Sequence, residues 1–130
     1  MPTLSQDRDE IRDLLSRYCL YFDQGAVQEW AQLYAQDGEF IGSGQHHSGR
    51  EALEAFLAGV PASTTHRVTV NHVIDIDDDR ALCRSSVLLL DGGVIVSSGR
   101  TVDELARIDG AWRIARRTFS PDPTRPDGSR

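Results

Sequence analysis

The chain has 130 residues, with a hydrophobic fraction of 39% and a charged fraction of 26%, which suits one soluble, compact domain and excludes a disordered chain or a membrane-embedded one. Its formal net charge of −6 comes with no basic patch, so nucleic acid is excluded as an expected partner, because that affinity comes from clustered Lys and Arg meeting phosphates.

The N-terminal stretch MPTLSQDRDE is acidic and lacks an apolar core, and no run reaches bilayer length, so a cytoplasmic location without a membrane partner is the default expectation. From Ser5 onward Ile11, Leu14, Leu15, Tyr18, Cys19 and Phe22 recur at helical spacing, which predicts a first helix ended by Gly25. A second, short helix is expected over 26–36, with Val27, Trp30, Ala31, Leu33 and Tyr34 inward and a break at Asp37-Gly38. Residues 39–47 then read as two very short strands around the turn Gly42-Ser43-Gly44. The spacing of Ser48 to Glu51 fits a capping box for a third helix that buries Leu53, Phe56 and Leu57 and stops at Gly59-Val60-Pro61.

Everything beyond is strand-like. Segments 66–76, 81–90, 94–108 and 111–119 are separated by the turn signals Asp77-Asp78-Asp79, Asp91-Gly92-Gly93 and Asp109-Gly110. The two cysteines, Cys19 and Cys83, both stand in apolar segments, where reduced thiols pack as small hydrophobes, so neither a disulfide nor a thiolate metal site is expected. The predicted fold class is α+β: a strongly twisted, mostly antiparallel sheet wrapped as a cone against three N-terminal helices. One domain is expected over 1–119, followed by a flexible Pro-rich tail over 120–130, SPDPTRPDGSR.

Among the chemistry-bearing residues Asp23 stands out. It continues the buried stripe of the first helix and sits in its last turn, where the macrodipole disfavours an anion. Either it opens an exposed turn at Asp23-Gln24-Gly25 or it is a partly buried carboxylate that needs a partner, because an unpaired buried carboxylate costs several kcal/mol. In the first long strand His66, Val68, Val70, His72, Ile74 and Ile76 share one face if the strand is regular, while Arg67, Thr69, Asn71 and Asp75 look the other way. Each histidine is then either a hydrogen-bonded structural residue or a functional one. His66, at the strand's start, is the better candidate for a cavity mouth.

His46 and His47 are adjacent, so on a strand they point apart and do not chelate one ion. No His-Glu-x-x-His spacing, no Gly-x-Ser-x-Gly elbow and no nucleotide-binding glycine pattern occurs, so no metal and no cofactor is expected. In the longest strand one of Asp103 and Glu104 must face inward, and the plain alternative for Asp103 is a cross-strand ion pair with Arg84, Arg116 or Arg117 on a solvent face.

Tyr18, Asp23 and Gly25, then Trp30-Ala31, Leu33-Tyr34, Asp37-Gly38 and Phe40, then Gly49, Ala52-Leu53 and Phe56-Leu57, then Thr65-His66 with Asn71, and finally Asp109-Gly110, Trp112 and Ile114 stand in one order and spacing. That order resembles the SnoaL-like group of the nuclear-transport-factor-like cone superfamily, over residues 5 to about 119. In its scytalone dehydratase, dehydrochlorinase and bile-acid dehydratase members, a carboxylate at the end of the first helix holds a histidine that removes a proton from substrate. The resemblance puts Asp23 and His66 on those positions and Tyr18 on a substrate-contacting one. The isomerase branch would match Tyr18 and Asp103 to oxyanion donors, but the place of its base falls at or near Gly42. The group's histidine often stands four residues before an asparagine, whereas His66 and Asn71 are five apart; a bulge would reconcile them.

What the resemblance implies is a cofactor-independent lyase or isomerase for a small, hydrophobic, cyclic molecule. His66 would be the general base, Asp23 its orienting partner and Tyr18 a hydrogen-bond donor to a developing oxyanion. Asn71 and Asp103 join Tyr18 as candidate substrate-binding residues, together with Trp30, Tyr34 and Phe56, which read as core first and pocket wall second. The alternative is a non-catalytic ligand-binding or oligomerisation module of the same fold. A homodimer or other homo-oligomer is expected, to cover Val87, Leu89 and Val96 on the sheet's outer face.

Overall fold

The computed structural model describes residues 2–124. The first helix, α1 (Leu4–Gln24), is fixed at both ends by local chemistry. At its start Thr3 Oγ1 accepts from the Gln6 amide at 3.1 Å while Gln6 Oε1 accepts from the Thr3 amide at 2.8 Å, a reciprocal capping box. At its end Gly25 takes the left-handed conformation (φ 68°), which glycine adopts without a Cβ clash. Ile11, Leu14, Leu15, Tyr18 and Cys19 form its buried face.

The second helix is shorter than the sequence suggests. α2 covers only Val27–Ala31, and Tyr34–Gly42 is a strand, β1, running parallel to the last strand. Asp37-Gly38 is therefore no break but the middle of that strand. A Cβ at Gly38 would lie 2.8 Å from the Ile114 carbonyl oxygen, so glycine is needed for the close approach. Buried residues at 30, 31, 33, 34 and 35 serve a helix and a strand in succession, and that apolar density is what made one longer helix plausible.

β2 (Gln45–Ser48) pairs with β1, and α3 (Arg50–Ala58) follows from Gly49, which makes no side-chain cap; the Ser48–Glu51 box does not form. Then come β3 (Thr65–Asp77), β4 (Arg80–Asp91), β5 (Val94–Ile108) and β6 (Ala111–Pro121) as an antiparallel meander. Sheet order is β2-β1-β6-β5-β4-β3, curled but unclosed, with the three helices on its concave side. Among the described residues no helix is long and apolar enough to cross a membrane. β6 runs two residues further than expected, and the Asp122 amide donates to the Ser98 carbonyl at 2.9 Å; the rest of the expected tail, 125–130, lies outside the described residues.

One end of the cone is closed by Trp112, Ile114, Leu105 and Ile11. It is stapled by Arg107, whose guanidinium reaches both oxygens of Asp7 (2.6 and 3.2 Å) and stacks 4.6 Å from the Trp112 ring. The aromatic cluster of Trp30, Tyr34, Tyr18 and Phe22 sits above this plug, with ring centroids 5.4 to 5.8 Å apart. Beyond it the cone is hollow.

Candidate functional site

Tyr18 and Phe22 are one helical turn apart on α1 and both face the hollow. Each carries a guanidinium on its ring. Arg67 Cζ lies 4.0 Å from the Phe22 centroid and Arg117 Cζ lies 4.1 Å from the Tyr18 centroid, both within cation–π range.

Each arginine is balanced by one aspartate. Asp23 Oδ2 accepts from the Arg67 backbone N–H at 2.8 Å, and Oδ1 accepts from Arg67 Nη1 at 2.9 Å. This resolves the puzzle of a carboxylate in a helix's last turn: a backbone donor and a cation from β3 together offset the unfavourable dipole. Arg117 Nη1 donates to both oxygens of Asp103 at 3.3 Å, and the two residues sit directly opposite each other on β6 and β5. Both are buried. Burial, the largest single influence, pulls the Arg117 pKa down, yet the facing Asp103 carboxylate together with Tyr18, Tyr34 and Cys19 makes the net shift upward, so the guanidinium stays charged. Burial pushes the Asp103 carboxyl up, with Arg117 opposing.

The position of Arg67 overturns the expected dyad. A bulge does occur in β3, where Asn71 has φ 58° and the register with β4 shifts between Val70 and Val73. Arg67 and Thr69 therefore face inward before the bulge, while His72, Ile74 and Ile76 face inward after it. His66 is exposed on the outer face and Asp23 bonds to Arg67 instead. The residue four before Asn71, the offset typical of the group's histidine, is Arg67. Asn71 itself is exposed.

A third polar feature crosses the sheet. His72 Nε2 is 3.1 Å from Thr69 Oγ1, Thr69 Oγ1 donates to Ser85 Oγ at 3.4 Å, and Ser85 Oγ lies 2.7 Å from Thr101 Oγ1. Because a hydroxyl has one proton, Thr69 donating to Ser85 must accept from His72 Nε2–H. Between Ser85 and Thr101 either hydroxyl can donate; where Ser85 does, the Thr101 hydroxyl has its own proton for the cavity that it lines. Burial lowers the His72 pKa, with Arg12 and Arg117 adding to the effect, so the ring is neutral at pH 7.

The cavity above these groups has a volume of about 290 Å³. Phe22, Phe40, Phe56, Val87, Leu89 and Phe119 supply its apolar wall, and its ionisable lining residues are Tyr18, Arg67 and Arg117. Burial pushes the Tyr18 phenol up to about 12, and its oxygen lies 2.7 Å from that of Tyr34. Val87 and Leu89 thus lie inside, not on the outer face: their parity along β4 is that of buried Cys83 and Ser85.

Of the sequence candidates, Tyr18 and Phe56 line the cavity, Trp30 and Tyr34 are fully buried in the core, and Asp103 stands behind Arg117. His47 stacks on Phe56 at 4.3 Å, and His46 pairs with Glu39 at 3.0 Å. Arg67, Thr101, Arg117 and Phe119 were not singled out. The offset to Asn71 was the available signal for Arg67; Arg117 appeared only as one of three partners for Asp103. Among the described residues no group of three His, Cys, Asp or Glu side chains is placed to hold a metal ion.

A helix-filled cone with an apolar hollow and a few polar groups at its floor defines the class: a small α+β domain of the cystatin-like or nuclear-transport-factor-like kind. The SnoaL-like domain pattern matches residues 3–118, and the chain belongs to the SnoaL-like family. No curated protein matches it. Among solved structures it is similar to a cystatin-like protein of unknown function from Nostoc punctiforme, with 23% identity over 97% of this chain and 98% of that one and a TM-score of 0.87. A candidate scytalone dehydratase from Novosphingobium aromaticivorans is 24% identical over 90% of this chain and 85% of that one, with a TM-score of 0.79. LinA is 22% identical over 90% and 86%, also with a TM-score of 0.79. These likenesses establish the shared fold, which spans proteins of dehydratase type and others of unknown function.

Proposed function

We propose that the cone binds a small, largely apolar molecule by a carbonyl oxygen. The observation that carries this reading is the cavity floor: its charged groups are two guanidiniums, each already balanced by its own aspartate. Such a floor offers spare N–H donors, and the Thr101 O–H, without net positive charge. A full carboxylate entering it would leave the site net negative in a low-dielectric space, whereas a ketone or enone oxygen accepts the same donors at no such cost. The six apolar wall residues then exclude water around the remainder.

Calorimetric titration of a cyclic or aryl ketone, its hydrocarbon analogue and its carboxylate analogue tests the proposal. Leaving one or two buried donors unpaired costs about 1–3 kcal/mol, so the ketone should bind roughly 5- to 150-fold more tightly than the hydrocarbon and more tightly than the carboxylate. Equal binding of ketone and hydrocarbon would refute it.

A lyase-type role is the second reading, favoured by the family and by the likeness to the dehydratase candidate. In this chain it runs without an Asp-His dyad. The first cavity has no carboxylate in its lining, and the nearest candidate base is Asp23, which lies behind Arg67 with both oxygens bonded to it. It reaches substrate only when Arg67 Nη1 lets go, and the oxyanion developing on the carbonyl would face Arg117. Following enone absorbance from hydroxylated or halogenated cyclic ketones distinguishes the two readings: turnover lost in D23N and retained in H66Q supports the lyase, and turnover unchanged in D23N removes it.

A further inference from the structure

Phe22 and Arg67 line two cavities at once. On the far side of the stacked pair lies a second cavity of about 220 Å³, bounded by Asp23, Leu57, Val60, Pro61 and Thr65 and roofed by the loop after α3. The partition between them is thin, consisting of a guanidinium 4.0 Å from a phenyl ring and a single aspartate that tethers it. Its two halves differ in freedom. Phe22 is fixed in the aromatic cluster, 5.6 Å from Trp30 and 6.2 Å from Phe56. Arg67 is a long side chain with 30% of its surface exposed, held at its tip by Asp23 Oδ1.

We propose that Arg67, clamped between Phe22 and Asp23, is the specificity-determining residue that limits ligand length, so that the first cavity takes compact carbonyl compounds and the second stays closed to them. This rests on the carbonyl-binding reading above and adds to it. An alkyl chain growing out of the first cavity toward α3 meets the guanidinium edge, and passing it means breaking the Asp23 ion pair and desolvating both charges. The second cavity is itself suited to an alkyl chain, with Leu57, Val60, Pro61 and Ala62 in its wall. Length is thus excluded by one residue and not by lack of apolar space beyond it.

The probe is the series of straight-chain alkyl phenyl ketones from acetophenone to octanophenone, titrated into the wild type, R67M and R67A. In the wild type each added methylene should tighten binding about fourfold while it is buried, up to a chain length beyond which affinity levels off or falls. R67M keeps the bulk but loses the Asp23 tether, so its limit should move to longer chains, by less than that of R67A. R67A opens the partition and should extend the fourfold steps by several methylenes, whatever happens to the affinity of the shortest ketone. A wild-type series that climbs without a limit overturns the proposal, and so does an R67A series with the wild-type limit. Should R67A not fold, R67S takes its place, and the wild-type series decides by itself whether a limit exists. If acetophenone and its homologues bind no better than their hydrocarbons, the carbonyl reading fails; if they do bind better and the limit is unmoved, only the role of Arg67 fails.

Discussion

Replacing Asp103 by Leu should be among the most damaging single changes in the chain. In the native protein Arg117 Nη1 has both Asp103 oxygens at 3.3 Å, and the two side chains are 5% and 0% exposed. D103L leaves a guanidinium in the interior with no counter-charge, a loss of about 3–5 kcal/mol. Unfolding entropy near 2.1 cal/mol/K per residue gives about 0.27 kcal/mol/K for this chain, so Tm should fall by roughly 11–18 °C. R117M should also destabilise, but with a pH dependence. The orphaned carboxyl's pKa rises further above its ordinary 3.8 in the folded state, so the penalty is absent below about that pH and grows as pH rises through the shifted value. The double variant D103L/R117M removes both charges and should recover most of the loss, since well-packed apolar replacements of a buried pair are often neutral or better. Urea titration followed by the fluorescence of buried Trp30 and Trp112 measures all three. A double variant as unstable as the sum of the singles would show that the cost comes from lost packing and not from unpaired charge.

Other outcomes follow from the same geometry. Tyr18 is pushed up to about 12 and Cys83 also to about 12 by burial; both folded-state values exceed the ordinary ones, so the stability they contribute is complete below about pH 9 and lost as pH rises towards 12, visible as a falling urea midpoint. H66Q should leave stability within about 0.5 kcal/mol of wild type, since His66 is exposed, whereas R67M should lower it measurably by removing the charged donor to Asp23 Oδ1 while the backbone N–H to Oδ2 remains. T101V should weaken ketone binding several-fold with little effect on the hydrocarbon analogue, and T101S should restore it; equal losses for both ligands would mean that Thr101 only shapes the cavity. G99A should cost about 1–3 kcal/mol, because a Cβ there would lie 2.5 Å from the Phe119 ring, and should constrict the cavity that Phe119 lines.

Much of the fold was legible because its punctuation is local. The four-strand meander over 65–121 follows from Asp and Gly turns whose residues do adopt positive φ, among them Asp78, Gly92, Asp109 and Gly110. The first helix follows from one unbroken stripe and Gly25. What the pattern misread, it misread where two periods coincide or one fails. Trp30, Ala31, Leu33 and Tyr34 satisfy a helix as well as a strand, and only the parallel pairing with β6, a long-range contact, decides between them.

The bulge at Asn71 is the more consequential case, because the site depends on it. Strict alternation along 66–76 puts His66 and His72 on one face; one extra residue at Asn71 leaves His72 inside and sends His66 out, exchanging it for Arg67. Nothing in the spacing of apolar residues marks that slip, since Val68 and Val70, which the bulge turns outward, are as apolar as Ile74 and Ile76, which stay inside. The chemistry marks it instead. Asp23, buried to 14% exposure in the last turn of a helix, needs a cation or several donors. A neutral imidazole offers one N–H, whereas Arg67 offers a backbone N–H and a charged Nη1–H together. A register chosen to satisfy the carboxylate, and not to continue the alternation, puts Arg67 in the cone and requires the bulge that Asn71, tolerant of positive φ, supplies.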